Sequence, residues 1–145
     1  MGCFSPRLTE AAEALTTQYE EAAEYLRLVL SIGEIDIVVG TPLTEHPWEL
    51  MLFEGRTICV ESCAEIVAKK MLHLGHLAKA RDLFDLCAVA DLEPEAIIAA
   101  RPVFEHRAEA FLSRLTEYRD FSEGEFEMID RIDYTRPFKE CMELA

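Results

Sequence analysis

Apolar residues recur along the first quarter of the chain at helical spacing. Leu8, Ala11, Ala12, Leu15, Tyr19, Ala22, Ala23 and Leu26 fall on one helical face, which predicts an N-terminal helix within residues 1–30. Ser5 and Pro6 supply an N-cap and first-turn pairing for it. A break is expected around Thr16–Gln18, and "RLVLSI" reads either as a strand or as the helix end. The period then changes to two. In "EIDIVVG", residues 34–40, Ile35, Ile37 and Val39 share one face while Asp36 and Val38 share the other, so a strand over 34–39 is expected. Gly40, Thr41 and Pro42 end it, and "TPLTEHPW" is a loop. "ELMLF", "EGRT" and "ICVES" predict a β-hairpin over about 49–61, with Gly55 in its turn.

From residue 62 the helical period returns. Ser62 and Glu65 form S-x-x-E, a capping box, which opens a helix over about 63–74. Its apolar positions are Cys63, Ile66, Val67, Met71 and Leu74, and Gly75 stops it. A second helix is expected over about 79–90. One or two more follow in "DLEPEAIIAARPVFEHRAEAFLSRLTEY", with Pro102 breaking or starting one. The tail reads as mixed, with a short helix near Phe138 to Leu144. Strands followed by helices give an α+β class: a small sheet, made of strand 34–39 and the hairpin, packed with a C-terminal helical bundle. The expected organisation is one domain over 1–145: an N-terminal helix (1–30), strands (31–61) and a helical part (62–145).

Composition narrows the function classes. With 145 residues, half of them hydrophobic and 29% charged, the chain is globular rather than disordered. No apolar run approaches the roughly 20 residues of a membrane helix, and the N-terminus lacks the basic-then-apolar order of a signal peptide. "MGCFSP" has Pro6 where a myristoylation site wants Ser or Thr. The net charge of −14 argues against a nucleic-acid groove spread over the chain, and no DNA partner is expected. It leaves room for a small pocket in which metal ions offset carboxylates, and for a basic protein partner. Five cysteines, Cys3, Cys59, Cys63, Cys87 and Cys141, include no CxxC pair; buried thiols in a reducing cytoplasm are the expectation.

Three places carry acids or a cation where apolar residues would be ordinary. Lys70 lies four residues after Ile66 and four before Leu74, on the stripe, whereas Lys69 is rotated off it and pairs with Glu65. The alternative for Lys70 is a lysine that snorkels to water. Asp82 and Asp85 put two carboxylates on one helix face, near an N-terminus that favours negative charge. Their alternative is a capping aspartate plus a surface Arg81–Asp85 pair. Asp36, flanked by isoleucines in a strand, wants a metal, a cation or a sheet edge, the alternative being an outward-facing acid on a half-exposed strand. The histidines (His46, His73, His76, His106) do not cluster at ligand spacing; His73 and His76 straddle Gly75. No GxSxG, Walker or GxGxxG motif occurs, and Trp48 and the scattered aromatics make no base-stacking ladder.

"VESCAEIVAKKMLHLGHLAKARDLFDL" resembles the second half of the AbiEii/AbiGii nucleotidyltransferase toxin family. The pattern there is an acid, a lysine about one turn on, a short helix and RD-x-x-D, and it falls on Glu65, Lys70, Arg81-Asp82 and Asp85. The resemblance covers about residues 30–92 well and the rest loosely. It implies a nucleotidyltransferase-like fold and transfer of a nucleoside monophosphate from a nucleoside triphosphate to an RNA acceptor, with Mg²⁺. It also implies membership of a two-gene toxin–antitoxin or phage-defence system, hence a cognate antitoxin. Carried onto this chain, it makes Lys70, Asp82 and Asp85 catalytic and Glu65 and Arg81 substrate-binding, with Asp36 a metal ligand. The chain departs from the family pattern upstream. Before residue 34 there is no Gly-rich turn and no strand with paired acids, so a truncated or partial nucleotidyltransferase is expected, inactive as an isolated chain. The alternatives are a non-catalytic relative that binds a protein or nucleotide, and a helical interaction domain in which the motif is structural.

Overall fold

The computed structural model describes residues 4–74 and 77–145. Met1 to Cys3, Gly75 and His76 lie outside the described residues, and with them the expected helix stop at Gly75, the His73–His76 spacing and the myristoylation-like start. The chain is α+β and divides into two compact units, Met1–Thr41 and Pro42–Ala145.

In the first unit the long N-terminal helix gives way to a short one and a sheet. Helix α1 covers only Glu10–Glu13, and β1 (Tyr19–Glu21), β2 (Tyr25–Leu30) and β3 (Gly33–Val38) form an antiparallel sheet in the order β1-β2-β3. The correction has a physical source in residues 25–30. Leu26 and Leu28 alternate with Arg27 and Val29, and this period-two pattern buries both leucines. The helical reading used the same Leu26 but left Leu28 and Leu30 unexplained. Thr16 accepts the Gln18 N–H and donates to the Val29 carbonyl at 2.6 Å, turning the chain into β1. Ser5 is buried but caps no long helix; its hydroxyl donates to Glu21 at 2.8 Å.

The second unit begins with the loop after Pro42 and the hairpin β4 (Trp48–Phe53) and β5 (Arg56–Glu61). The hairpin is a sheet of its own, so β3 and the hairpin belong to two sheets rather than one. Phe53 pairs with Arg56, and the two connecting residues, Glu54 and Gly55, have φ of 48° and 76°. Positive φ at both central positions is the type I′ arrangement, which glycine accepts without a Cβ clash.

Helices follow: α2 (Cys63–Leu74), α3 (Ala80–Leu92), α4 (Pro94–Glu117), α5 (Arg119–Glu127) and α6 (Phe138–Leu144). Among the described residues none is long and apolar enough to cross a membrane. Pro102 neither breaks nor starts a helix: it lies inside α4, with Ala100 and Phe104 buried on either side of it. Helix α5 falls in a stretch expected to be mixed, whereas α6 matches its expected limits. The buried face of α2 is Ala64, Val67, Ala68 and Met71, one position away from the expected stripe, so Ile66 and Lys70 sit at its margin. Helix α3 supplies Leu83 and Cys87 to the same core, closed by Phe104, Phe111, Leu115, Phe126 and Phe138. Phe84, Phe126 and Phe138 meet edge to face at 5.7 and 5.4 Å. Cys87 and Cys141 are buried free thiols; burial raises both above the ordinary thiol range. Cys59, by contrast, is exposed.

Leu83 is fully buried between α3 and its neighbours. Replacing it by alanine is expected to cost about 3 kcal/mol in urea unfolding, from lost transfer energy plus the cavity left behind. A loss below about 0.5 kcal/mol would mean that the helices do not pack through α3.

Candidate functional site

The helix α2–α3 pair brings Lys70, Asp82 and Asp85 together. Lys70 projects from the margin of the α2 core stripe. Asp82 lies in the first turn of α3, and Asp85 follows one turn later on the same face. The Lys70 Nζ donates to Asp85 Oδ2 at 2.6 Å and to Asp82 Oδ1 at 3.2 Å. Asp82 is 4% exposed, and its second oxygen, Oδ2, is buried with no hydrogen-bond partner among the described residues. A buried carboxylate oxygen without a donor is costly. The ammonium and the helix N-terminus offset the charge, but Oδ2 is left without a donor among the described residues. Burial alone pulls the Lys70 pKa down. The hydrogen bond and charge of Asp85, then those of Asp82, outweigh it, so the lysine titrates above its ordinary range and stays protonated.

Glu65 stands apart from this cluster. It is fully buried, and its carboxylate accepts the Leu43 N–H at 3.0 Å, the Thr44 N–H at 2.9 Å and the Thr44 hydroxyl at 2.8 Å. Lys69 adds an ion pair at 3.2 Å and a second one to Glu61. Ser62 caps the Glu65 N–H at 3.2 Å, yet Glu65 does not complete the capping box. Its carboxylate reaches outward to the loop instead. Burial pushes the Glu65 pKa up; the Thr44, Leu43 and Lys69 bonds override this and hold it below the ordinary glutamate range. All four donors come from the protein, so the geometry makes Glu65 a clamp on the loop before the hairpin.

Arg81 is exposed and has no ion pair among the described residues, so the alternative Arg81–Asp85 pair does not form. Asp36 lies on an exposed strand of the first unit. Arg27 grips both of its oxygens at 2.7 and 2.8 Å, and Tyr25 donates at 3.3 Å. Arg27 is the first cause of a lowered Asp36 pKa. The pair follows from register, since Arg27 faces Asp36 across β2 and β3. Reading 25–30 as a strand would have found it.

The fit of a metal to these residues is poor. Asp36 is occupied by a guanidinium, Asp82 and Asp85 share an ammonium, and no group of three or more His, Cys, Asp or Glu side chains among the described residues is placed to hold an ion.

Two substitutions test the electrostatics. Lys70→Met is expected to cost about 3 kcal/mol by leaving Asp82 buried and uncompensated, and adding Asp82→Asn to it should recover most of that loss. Additive losses in urea unfolding would show that the two residues do not interact. For Glu65 the folded pKa is depressed, so its contribution is present above the unfolded glutamate pKa and disappears as pH falls through the lower folded value. Glu65→Gln should therefore be less stable than the wild type at pH 7, with the difference closing below the ordinary glutamate range. A pH-independent difference would contradict the clamp.

A family model described as "Nucleotidyl transferase AbiEii toxin, Type IV TA system" matches residues 4–145. Comparison with curated proteins and with solved structures finds no match.

Proposed function

The chain belongs to the AbiEii nucleotidyl transferase toxin family of type IV toxin–antitoxin systems, and on that premise we propose that it contributes the Lys70–Asp82–Asp85 part of a site that moves a nucleoside monophosphate from a nucleoside triphosphate to an RNA acceptor. Membership implies nucleotide substrates and an antitoxin partner. The observation that carries the assignment is the protonated lysine held between two carboxylates, one of them buried with Oδ2 lacking a donor among the described residues.

In nucleotidyl transfer the acceptor hydroxyl gives its proton to solvent water and its oxygen bonds to the α-phosphorus. The bond from that phosphorus to the bridging oxygen breaks, and pyrophosphate leaves with the electron pair. Charge grows on phosphate oxygens, and a preorganised ammonium offsets it. Lys70 suits this role as a compact cation that can exchange the half-exposed Asp85 for a phosphate oxygen while Asp82 keeps it oriented. Arg81, exposed and unpaired, is available to a second phosphate oxygen. Glu65 is proposed to act indirectly, by fixing the loop at Leu43 and Thr44. Mg²⁺ is the cation proposed for the complete site, and the described residues do not fit it. We propose that the metal-binding acids and the Gly-rich phosphate cradle are supplied outside these residues, and that the chain is a partial nucleotidyl transferase. The second reading is a non-catalytic binding module. It is favoured by Asp36 being taken up by Arg27 rather than left open to a metal.

The chain alone, with Mg²⁺, labelled nucleoside triphosphates and RNA, is expected to transfer no label. Transfer should appear when a chain bearing the cradle and paired acids is added. It should fall at least about 100-fold with Lys70→Met/Asp82→Asn, the combination that keeps stability. Undiminished transfer with that combination would overturn the assignment of Lys70 and Asp82; no transfer under any pairing would favour the binding module.

A further inference from the structure

The hairpin leaves a strand edge with its hydrogen-bonding groups free and its apolar side chains in water. The Ser62 N–H donates to the Pro47 carbonyl at 3.0 Å, which fixes the phase of the ladder. Inward and outward residues alternate along an antiparallel pair. Glu49, Met51 and Phe53 therefore bond to β5, and the backbone N–H and C=O groups of Trp48, Leu50 and Leu52 point away from it. No partner for these groups occurs among the described residues. The side chains of the three share one face and are 55, 72 and 74% exposed.

Free edges are normally blunted by charge, proline or a bulge, because an open one templates pairing with another chain. Strand β4 has none of these devices at its outward positions. Its register with β5 runs one to one from Trp48–Glu61 to Phe53–Arg56, without a bulge. Glu49 is the one charge on β4, and its backbone points inward. The other free edges carry more charge: Glu20 and Glu21 on β1, Glu34 and Asp36 on β3, Arg56 and Glu61 on β5.

The sequence of the edge also selects its occupant. Laid antiparallel on itself about a two-fold axis through Leu50, β4 sets Leu50 against Leu50 and, on either side, Trp48 against Leu52. Each of these pairs joins outward residues and can exchange two N–H···O bonds. The side chains of both copies then form one apolar stripe. On the opposite face Glu49 meets Met51, so no like charges face each other. A strand of charged residues would leave the three apolar side chains unmatched.

We infer that β4 is the surface through which two copies of this chain associate, joining two hairpins into one sheet in the order β5-β4-β4-β5. The contact is isologous, and it converts a marginal two-stranded ribbon into a sheet wide enough to be stable. The inference rests on the hairpin alone and does not require nucleotidyl transfer.

The net charge of −14 per chain opposes association, so the test is made at about 0.15 M salt, where charge is screened beyond about 8 Å. Sedimentation velocity should show a monomer–dimer equilibrium. The edge is smaller than a standard interface, so half-dissociation is expected on the order of 10 µM. Leu50→Lys should weaken the dimer at least about tenfold, whereas Thr57→Lys on the β5 edge should leave it unchanged. Disulfides read the register separately. With Cys3, Cys59 and Cys63 replaced by serine, chains carrying Glu49→Cys and chains carrying Met51→Cys are mixed and oxidised. Opposed residues of a non-hydrogen-bonded pair lie about 4.5 Å apart, within disulfide reach, so a cross-linked dimer should form in the mixture and not with either chain alone. A monomer at every concentration up to about 500 µM, a dimer indifferent to Leu50→Lys or lost equally with Thr57→Lys, or absence of the mixed cross-link would overturn the inference.

Discussion

The ammonium of Lys70 ties α2 to α3, and most of the helical unit hangs on α3. Helices α2, α4, α5 and α6 all contact it, through Leu83 and Cys87 on one side and Phe84 on another. Asp82 sits one residue before Leu83, so a buried carboxylate and the centre of the core are set by the same helical turn. A charge so placed needs a partner that cannot be drawn away by water. Lys70 provides it from the margin of the α2 stripe, half in and half out of the core. The polar contact thus fixes how α2 and α3 register, while the apolar contacts beside it supply the free energy.

The same solution recurs at a buried acid, Glu65, and at an exposed one, Asp91. Glu65 is neutralised by backbone N–H groups and Lys69. Asp91 takes a hydrogen bond from Tyr134 at 2.7 Å and one from Arg136 at 2.8 Å, which secures the segment before α6. These three carboxylates differ in what they leave over. Glu65 and Asp91 are satisfied by the chain itself. Asp82 retains an unpartnered oxygen, and this is the physical distinction between a structural acid and a candidate for chemistry.

The helical part was largely legible in the sequence because its signals were redundant. S-x-x-E, a 3.6-residue period and paired aspartates all agreed on α2 and α3, and the closeness of Lys70 to both aspartates follows from the short connection between them. The first thirty residues were not legible in the same way. Ala11, Ala12, Ala22 and Ala23 satisfy a helical template at little energetic stake, since alanine buries little surface. Leu26, Leu28 and Leu30 carry more apolar area and obey a period of two, so the tertiary preference of three leucines overrode the helical propensity of the acids and alanines. Asp36 then acquired Arg27 as its cross-strand partner, which no reading of 34–40 as an isolated strand could reveal. Glu65 was placed correctly on α2, but its partners are two consecutive N–H groups of a loop, and backbone donors leave no mark in a sequence pattern.

The hairpin makes the contrast between stable and exposed elements sharpest. Trp48, Leu50 and Leu52 share one face and Met51 and Phe53 the other, and all five are exposed. A two-stranded ribbon with neither face buried is marginal by itself. It is anchored at its base, where the Ser62 N–H meets the Pro47 carbonyl at 3.0 Å and the Ser62 hydroxyl meets the His46 carbonyl at 2.7 Å. That anchor lies at the N-terminus of α2, three residues before Glu65 and eight before Lys70. The loop, the hairpin base and the lysine are therefore referenced to one helix whose inner face is fully packed. A charged cluster can hold its geometry to a fraction of an ångström only when its supports are that rigid. Here the rigidity comes from Val67, Ala68 and Met71 on α2 and Leu83 on α3, apolar residues buried in the core.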